Sequence, residues 1–265
     1  MTRILLVGCG KMGGALLDGW LDRGLSPQDI IVVEPQETLR LVRSHVRVVA
    51  AHDEIPASFR PEVVVLAVKP QMMDAVLPSY AAFDGAVFLS IAAGKPLAYF
   101  AGILGDVTPV VRAMPNTPAS VRRGMTVAVA NPLVDPTQKE TCDELLSAVG
   151  EVDWIEDESL MDAVTALSGS GPAYVFLLVE AMAAAGVAAG LPDEVAERLA
   201  RGTVVGAGEL LRQSAERPAT LRQNVTSPGG TTYAALQVLM AEDGLSPLMT
   251  RAIAAASRRS RELAG

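Results

Sequence analysis

Up to residue 155 the chain alternates short, wholly apolar runs with longer stretches in which apolar side chains recur at helical spacing. Runs such as ILLV at 4–7, IIVV at 30–33 and VVVL at 63–66 have no polar face, as strands of a parallel sheet covered on both sides require. The pattern predicts strands near residues 3–8, 30–34, 46–50, 63–68, 86–90, 109–113, 126–130 and 152–155, with helices between most of them. After the acidic EDE at 156–158 the texture changes to Ala-rich helical periodicity. Helices are expected over 159–167, 172–190, 192–212, 218–224, 231–242 and 247–263, several opening with Pro, which suits a first helical turn. The change of texture divides the chain into 1–157, an α/β domain, and 158–265, an all-α domain.

In the helical half, small residues recur four apart, at Gly186/Gly190 and Gly202/Gly206, a spacing that lets helix backbones approach closely. So apolar a set of helices is hard to bury within one short domain, so they are expected to interleave with a second copy as a symmetric dimer. Residues 172–191 are nearly all apolar and match the roughly 20-residue length of a membrane span. Glu180 stands in their middle, however, and Ala and Gly contribute little transfer energy, so the expectation is a packed helix and no membrane.

Composition narrows the partners. The chain has 265 residues, of which 50 % are hydrophobic, ample for a core. Thirty acidic against 22 basic residues give a net charge of −8, so no nucleic acid partner is expected. Two cysteines, Cys9 and Cys142, and two histidines, His45 and His52, make neither a disulfide framework nor a zinc site, so no metal is expected. The apolar stretch at 4–7 is too brief for a secretion signal, and a reducing cytoplasm is the expected location.

The chemistry begins with RILLVGCGKMGGALL at 3–17: a strand, a G-x-G-x-x-G turn and a helix, in the order of a Rossmann-type doubly wound dinucleotide-binding domain. Gly8 makes the tight turn, Gly10 admits a pyrophosphate to the helix start, and Gly13 lets helix pack on strand. The cofactor, NADPH or NADH, is expected on Gly8, Gly10, Lys11, Met12 and Gly13, although the Met12 side chain itself reads as packing. Glu34 ends the second strand, where an acid binds ribose hydroxyls and repels a 2′-phosphate, which favours NADH; Arg40 and Arg43 are near enough in sequence to offset that charge. Ala67, Val68, Lys69 and Pro70 close the fourth strand, and Ala92 and Ala93 follow the fifth, at the sheet edge where ligands of such folds lie. Residues 112–118, RAMPNTP, are placed to close the pocket.

The second candidate site is NVTSPGGTT at 224–232, running into the apolar helix pattern of 233–240. A turn opening a helix leaves main-chain N–H groups without partners at the positive end of the helix dipole, which suits a carboxylate. Ser227, Thr231 and Thr232 surround that spot with hydroxyls, and Gly229 and Gly230 let a small ligand approach the backbone.

Taken together, GCGKMG at 8–13, AVKPQ at 67–71, SIAAG at 90–94, MPNTP at 114–118, ALSGSGPAY at 166–174 and NVTSPGGTT at 224–232 resemble pyrroline-5-carboxylate reductases over essentially the whole chain. The resemblance implies hydride transfer from a reduced nicotinamide to the C=N carbon of a five-membered cyclic imine, giving L-proline. It implies intertwined homodimers, often gathered into rings, each active site drawing on two chains. It puts the substrate carboxylate on the N–H groups around Gly230, Thr231 and Thr232 with Ser227 assisting, the catalytic Thr232 hydroxyl beside the ring nitrogen, and Asn224 near the nicotinamide end of a cofactor held by the partner subunit. Where family members often carry Asn ahead of the fourth strand, this chain has HDE at 52–54, a departure that bears on NADPH use. β-Hydroxyacid dehydrogenases join a similar first domain to helices, but they need a lysine and an asparagine where this chain has Val175 and Val179. A nucleotide sensor without catalysis would not need the intact Ser/Gly/Thr segment.

Overall fold

The computed structural model describes residues 2–37 and 46–264; Arg40, Arg43 and His45 lie outside the described residues. The chain divides into two compact units, Met1–Ser170 with Ala256–Gly265, and Gly171–Ala255.

The first unit is built on strands β1 (Ile4–Val7), β2 (Ile30–Val33), β3 (Arg47–Val49), β4 (Val63–Leu66), β5 (Val87–Ser90), β6 (Val110–Met114), β7 (Gly124–Ala130) and β8 (Gly150–Trp154). They form one eight-stranded sheet in the order β3-β2-β1-β4-β5-β6-β7-β8. The apolar runs alternate across it. Ile4, Leu6, Ile30, Val32, Val63, Val65, Val87 and Leu89 face one side, where Leu16, Leu17 and Trp20 of α1 (Lys11–Asp22) cover them. Leu5, Val7, Ile31, Val33, Val64 and Leu66 face the other, under Met73, Leu77, Tyr80 and Phe100. Trp20 Nε1 donates to Leu145 O at 2.9 Å, tying α1 to the helix Pro136–Ser147.

The sheet is not wholly parallel. β6 and β7 pair antiparallel, and β8 runs parallel to β7, so the last two strands oppose the first six. The reason is length: residues 115–123 hold only a short 3₁₀ turn, Thr117–Val121, and a parallel crossover needs a dozen or more residues.

The second unit begins with α6 (Gly171–Ala188) and α7 (Asp193–Gln213), which pack on each other as a helical hairpin. Before α6 lie α2 (Met73–Val76), α3 (Leu97–Leu104), α4 (Pro136–Ser147) and α5 (Met161–Val164); α5 continues into a π-helical turn, Thr165–Gly169. After α7 come α8 (Pro218–Asn224), α9 (Thr231–Leu239) and α10 (Leu245–Ala264), the last returning to the first unit at Ala256.

The glycines paired by sequence have separate jobs. Gly186 meets Ala196 of α7, whose Cβ lies 3.2 Å from the place a glycine Cβ would take. Gly190 instead reverses the chain: its φ of +101° lets Leu191 N–H donate back to Gly186 O at 3.1 Å and end the helix. Gly202 and Gly206 face open space in the single chain. Phe176 and Leu177 are more than 60 % exposed there, and Glu158–Ala188, with a mean hydropathy of 1.6, is long and apolar enough to cross a membrane.

Candidate active site

Register builds the first part of the site. Val7 pairs with Val33 and with Leu66, so the three strands end level at the C-terminal edge of the sheet, beside the point where the strand order reverses. The next residues, Gly8, Glu34 and Ala67, continue the ladder through Gly8 N to Val33 O, Glu34 N to Val49 O and Ala67 N to Val7 O at 2.8–2.9 Å. All three line a cleft of about 340 Å³, with Gly10, Val68 and Lys69.

The glycine turn fits a dinucleotide. Gly8 has φ +92°, and a Cβ there would come within 2.9 Å of Ala67 O; a Cβ on Gly13 would collide with Gly8 O. At Gly10, in contrast, nothing stands within 4 Å of a would-be Cβ, so the main chain is bare toward the cleft. Gly10 is also the N-cap of α1 with no side chain capping it, which leaves the first N–H donors of that 12-residue helix for an anion.

Glu34 is 5 % exposed and held by the main chain: Oε2 accepts from Cys9 N at 2.8 Å and Oε1 from Gln36 N at 3.0 Å. The far end of the cleft is lined by Ala50, Ala51, His52, Met72, Val76 and Tyr80. Burial pushes the Tyr80 phenol up to about 12, so it is neutral at working pH and presents a ring, not a charge. Of this end, sequence reasoning had marked only 52–54, through the departure from the family's Asn, and it missed the rest. Small residues following the third strand at the same sheet edge were a readable signal; the approach of Met72 to Tyr80 was not, since it depends on how the turns after β4 fold back.

The other expected cofactor residues lie around this cleft. Lys11 lines an adjoining hollow that shares Gly10 and Gln36 with it. Met12 packs on the core. Pro70 opens a 3₁₀ turn, Ala92 is buried with its N–H on Ser90 Oγ at 3.3 Å, and Ala93 is exposed. None of Met12, Pro70, Ala92 and Ala93 is on the cleft wall. Residues 112–118 brace the fold instead of closing the cleft. Buried Arg112 pairs with Glu158 at 2.8 Å, and Glu158 also accepts from Leu97 N at the start of α3. Asn116 accepts from Met125 N at 2.9 Å and donates to Ser168 O at 3.2 Å. A buried arginine and a turn asparagine find partners inside the protein because leaving them unpaired is costly.

The second candidate site lies in the helical unit. Ser227, Gly229, Thr231 and Thr232 are exposed in the single chain. Gly229 takes φ +68°, and Gly230 donates its N–H to Ser227 O at 3.0 Å, closing the turn. Gly230 is also the N-cap of α9 and no side chain caps it, so Thr231, Thr232 and Tyr233 present the helix's first open N–H groups. The donors for an anion therefore start at Thr231, because the turn itself consumes that of Gly230. Asn224, the last residue of α8, donates from Nδ2 to Glu216 at 3.1 Å.

Residues 158–263 match the family model for pyrroline-5-carboxylate reductase dimerisation, and residues 3–94 match that for NADP oxidoreductase, coenzyme F420-dependent. The chain is 43 % identical to the pyrroline-5-carboxylate reductase of Pseudomonas aeruginosa, over 99 % of this chain and 97 % of the relative. The chain belongs to the pyrroline-5-carboxylate reductase family. The family's enzyme from Synechocystis is also 43 % identical, over 97 % of each chain. Among solved structures, that of the Coxiella burnetii reductase superposes with a TM-score of 0.92 at 35 % identity, covering 99 % of this chain and 98 % of the other. The Plasmodium falciparum reductase, solved with NADP bound, gives 0.84 at 27 % identity, covering 100 % and 98 %. The first unit is thus the NAD(P)H-dependent oxidoreductase part of a family enzyme, and the helical segment is a dimerisation domain that makes the chain a homo-oligomer.

Proposed function

We propose that the chain reduces the C=N bond of 1-pyrroline-5-carboxylate with NADPH or NADH, forming L-proline in the last step of proline synthesis. The observation that carries the reading is the uncapped start of α9, open N–H groups ringed by Ser227, Thr231 and Thr232, in the same chain as a bare glycine-turn cleft. An amino-acid-like substrate has one obligatory anion, its carboxylate, and main-chain donors at a helix start bind it without an added side-chain charge.

The substrate carboxylate sits beside Gly230 on the N–H groups of Thr231 and Thr232, with the Ser227 hydroxyl donating to it. Thr232 Oγ1 lies beside the ring nitrogen and orients the ring. Bound reduced nicotinamide supplies the hydride to the imine carbon. A cyclic imine becomes electrophilic on protonation of its nitrogen, and solvent delivers that proton, so no histidine or buried carboxylic acid is required of the chain. The residues contribute position and charge complementarity. The cofactor lies in the cleft of Gly8, Gly10, Glu34, Ala67, Val68 and Lys69, with Lys11 and Gly13 at the helix start, and with Pro70, Ala92 and Ala93, together with Asn224 of the partner subunit, toward its nicotinamide end.

Residues 1–157 serve the cofactor, and 158–265 the substrate and the dimer. The dimer is intertwined, the arrangement extends to a ring of dimers, and the enzyme works in the cytoplasm with neither nucleic acid nor membrane as partner. The uncovered Phe176 and Leu177 support a second copy as the covering surface. A spectrophotometric assay tests the activity: pyrroline-5-carboxylate should drive loss of NAD(P)H absorbance with stoichiometric proline. Absence of consumption with both cofactors would overturn the reading.

A further inference from the structure

We infer that Glu34 makes this chain select NADH against NADPH. The inference rests on the reading of the glycine-turn cleft as the cofactor site, and deepens it.

Glu34 is not a mobile surface acid at a strand end. It is nearly buried, on the same cleft wall as Gly8 and Gly10, and each of its oxygens is fixed by one main-chain donor, Cys9 N on Oε2 and Gln36 N on Oε1. A carboxylate has about four acceptor sites, so two are used and the rest are left for donors in the cleft. The vicinal hydroxyls of an adenosine ribose supply such donors. A 2′-phosphate replaces one of them with an acceptor-only dianion, leaving oxygen against oxygen and like charges in contact.

Two features keep Glu34 from accommodating the phosphate. Its fixed oxygens cannot swing aside without abandoning the N–H of Cys9 inside the glycine turn, which would disturb the turn itself. Its two donors are also neutral, so they hold the anion in place without cancelling its charge. Among the described residues of the cleft wall, which do not include Arg40 and Arg43, the one side chain with a full positive charge is Lys69, past the end of β4, while Glu34 lies past the end of β2. The same geometry states what a variant gains. Removing the carboxylate frees two converging main-chain N–H groups, a ready seat for phosphate oxygens.

The test is fluorescence titration of the full chain with NADH and with NADPH, without substrate, for the wild type, Glu34→Ser and Glu34→Gln. The wild type should bind NADH about tenfold or more tighter than NADPH, as a site built to hydrogen-bond a hydroxyl rejects an analogue lacking it. Glu34→Ser should erase or reverse that ratio by weakening NADH and tightening NADPH; Glu34→Gln, which keeps the shape and drops the charge, should shift it the same way by less. Equal or tighter NADPH binding by the wild type overturns the inference. So does an equal loss for both cofactors in a variant of unchanged melting temperature, which marks Glu34 as a brace of the turn alone. If Glu34→Ser does not fold, Glu34→Gln decides. Because no substrate is present, a chain that discriminates as stated yet fails to reduce pyrroline-5-carboxylate sinks the proposed reaction and leaves this inference standing.

Discussion

At the scale of single residues, function depends on main-chain groups that side chains either uncover or hold. In the proposed site Thr231 and Thr232 would matter first for where their N–H groups stand, and Thr232 would also orient the reacting ring through its hydroxyl. Thr232→Ala should therefore lower kcat by about tenfold or more while the NADH dissociation constant stays unchanged, the pattern of a group acting chiefly in the transition state. Steady-state kinetics with a parallel binding titration read both; an unchanged kcat removes the hydroxyl from the mechanism. Gly8 is the counterpart in the cofactor half. With φ +92° and Ala67 O where a Cβ would press, Gly8→Ala should cost about 1–3 kcal/mol in denaturant-induced unfolding, and should weaken cofactor binding as well. The tight turn at Gly8 and the open helix start before Thr231 were legible from the motifs. The hold of Cys9 N on Glu34 was not, because a hydrogen bond between residues 25 apart in sequence exists only once two strands lie side by side.

At the scale of elements, α4 and β7 show how local pattern and packing divide the outcome. Helix α4 opens with a full capping box, Asp135 accepting from Gln138 N while the Gln138 side chain returns to Asp135 N. Its inner face buries Cys142 with Leu145 and Leu146. Desolvation, with the nearby Asp143 charge adding to it, raises the Cys142 thiol from 9.0 to about 12. The folded state thus favours the protonated thiol, and that stability is fully present below pH 9 and is lost as pH rises toward about 12. Urea midpoints measured across that window should fall in the wild type and fall less in Cys142→Ala; parallel curves would show that the thiol is not a source of the alkaline loss. Strand β7 was readable as a strand, but its direction was not read from its own residues. Direction follows from the short connection at 115–123, a fact about what lies between elements.

At the scale of the whole molecule, the single chain leaves apolar helix surface exposed on Phe176, Leu177 and their neighbours, a patch of the kind that marks an interaction site. Leu177→Glu should shift the chain to monomer in light scattering and abolish activity together; a dimer of full activity would place the subunit contact elsewhere. If each site takes its cofactor domain from one copy and its helix start from the other, two strongly impaired variants rescue each other. Mixing Gly13→Glu with Thr232→Ala under subunit exchange should restore about a quarter of wild-type activity, because half of randomly assorted dimers are mixed and each has one complete site of two. No rescue despite proven exchange would place both halves of the site in one chain.

By itself the sequence determined the strands and helices, the glycine turn, the uncapped helix start and the family, because each depends on residues adjacent or a few positions apart. The tertiary structure decided what depends on separation: the level ends of β1, β2 and β4 that bring Gly8, Glu34 and Ala67 to one wall, the antiparallel entry of β7, and the diversion of Arg112 and Asn116 into bracing contacts. Local pattern specifies which backbone conformation a segment prefers; which distant side chain meets it is specified only by the packing that leaves no buried polar group unpaired.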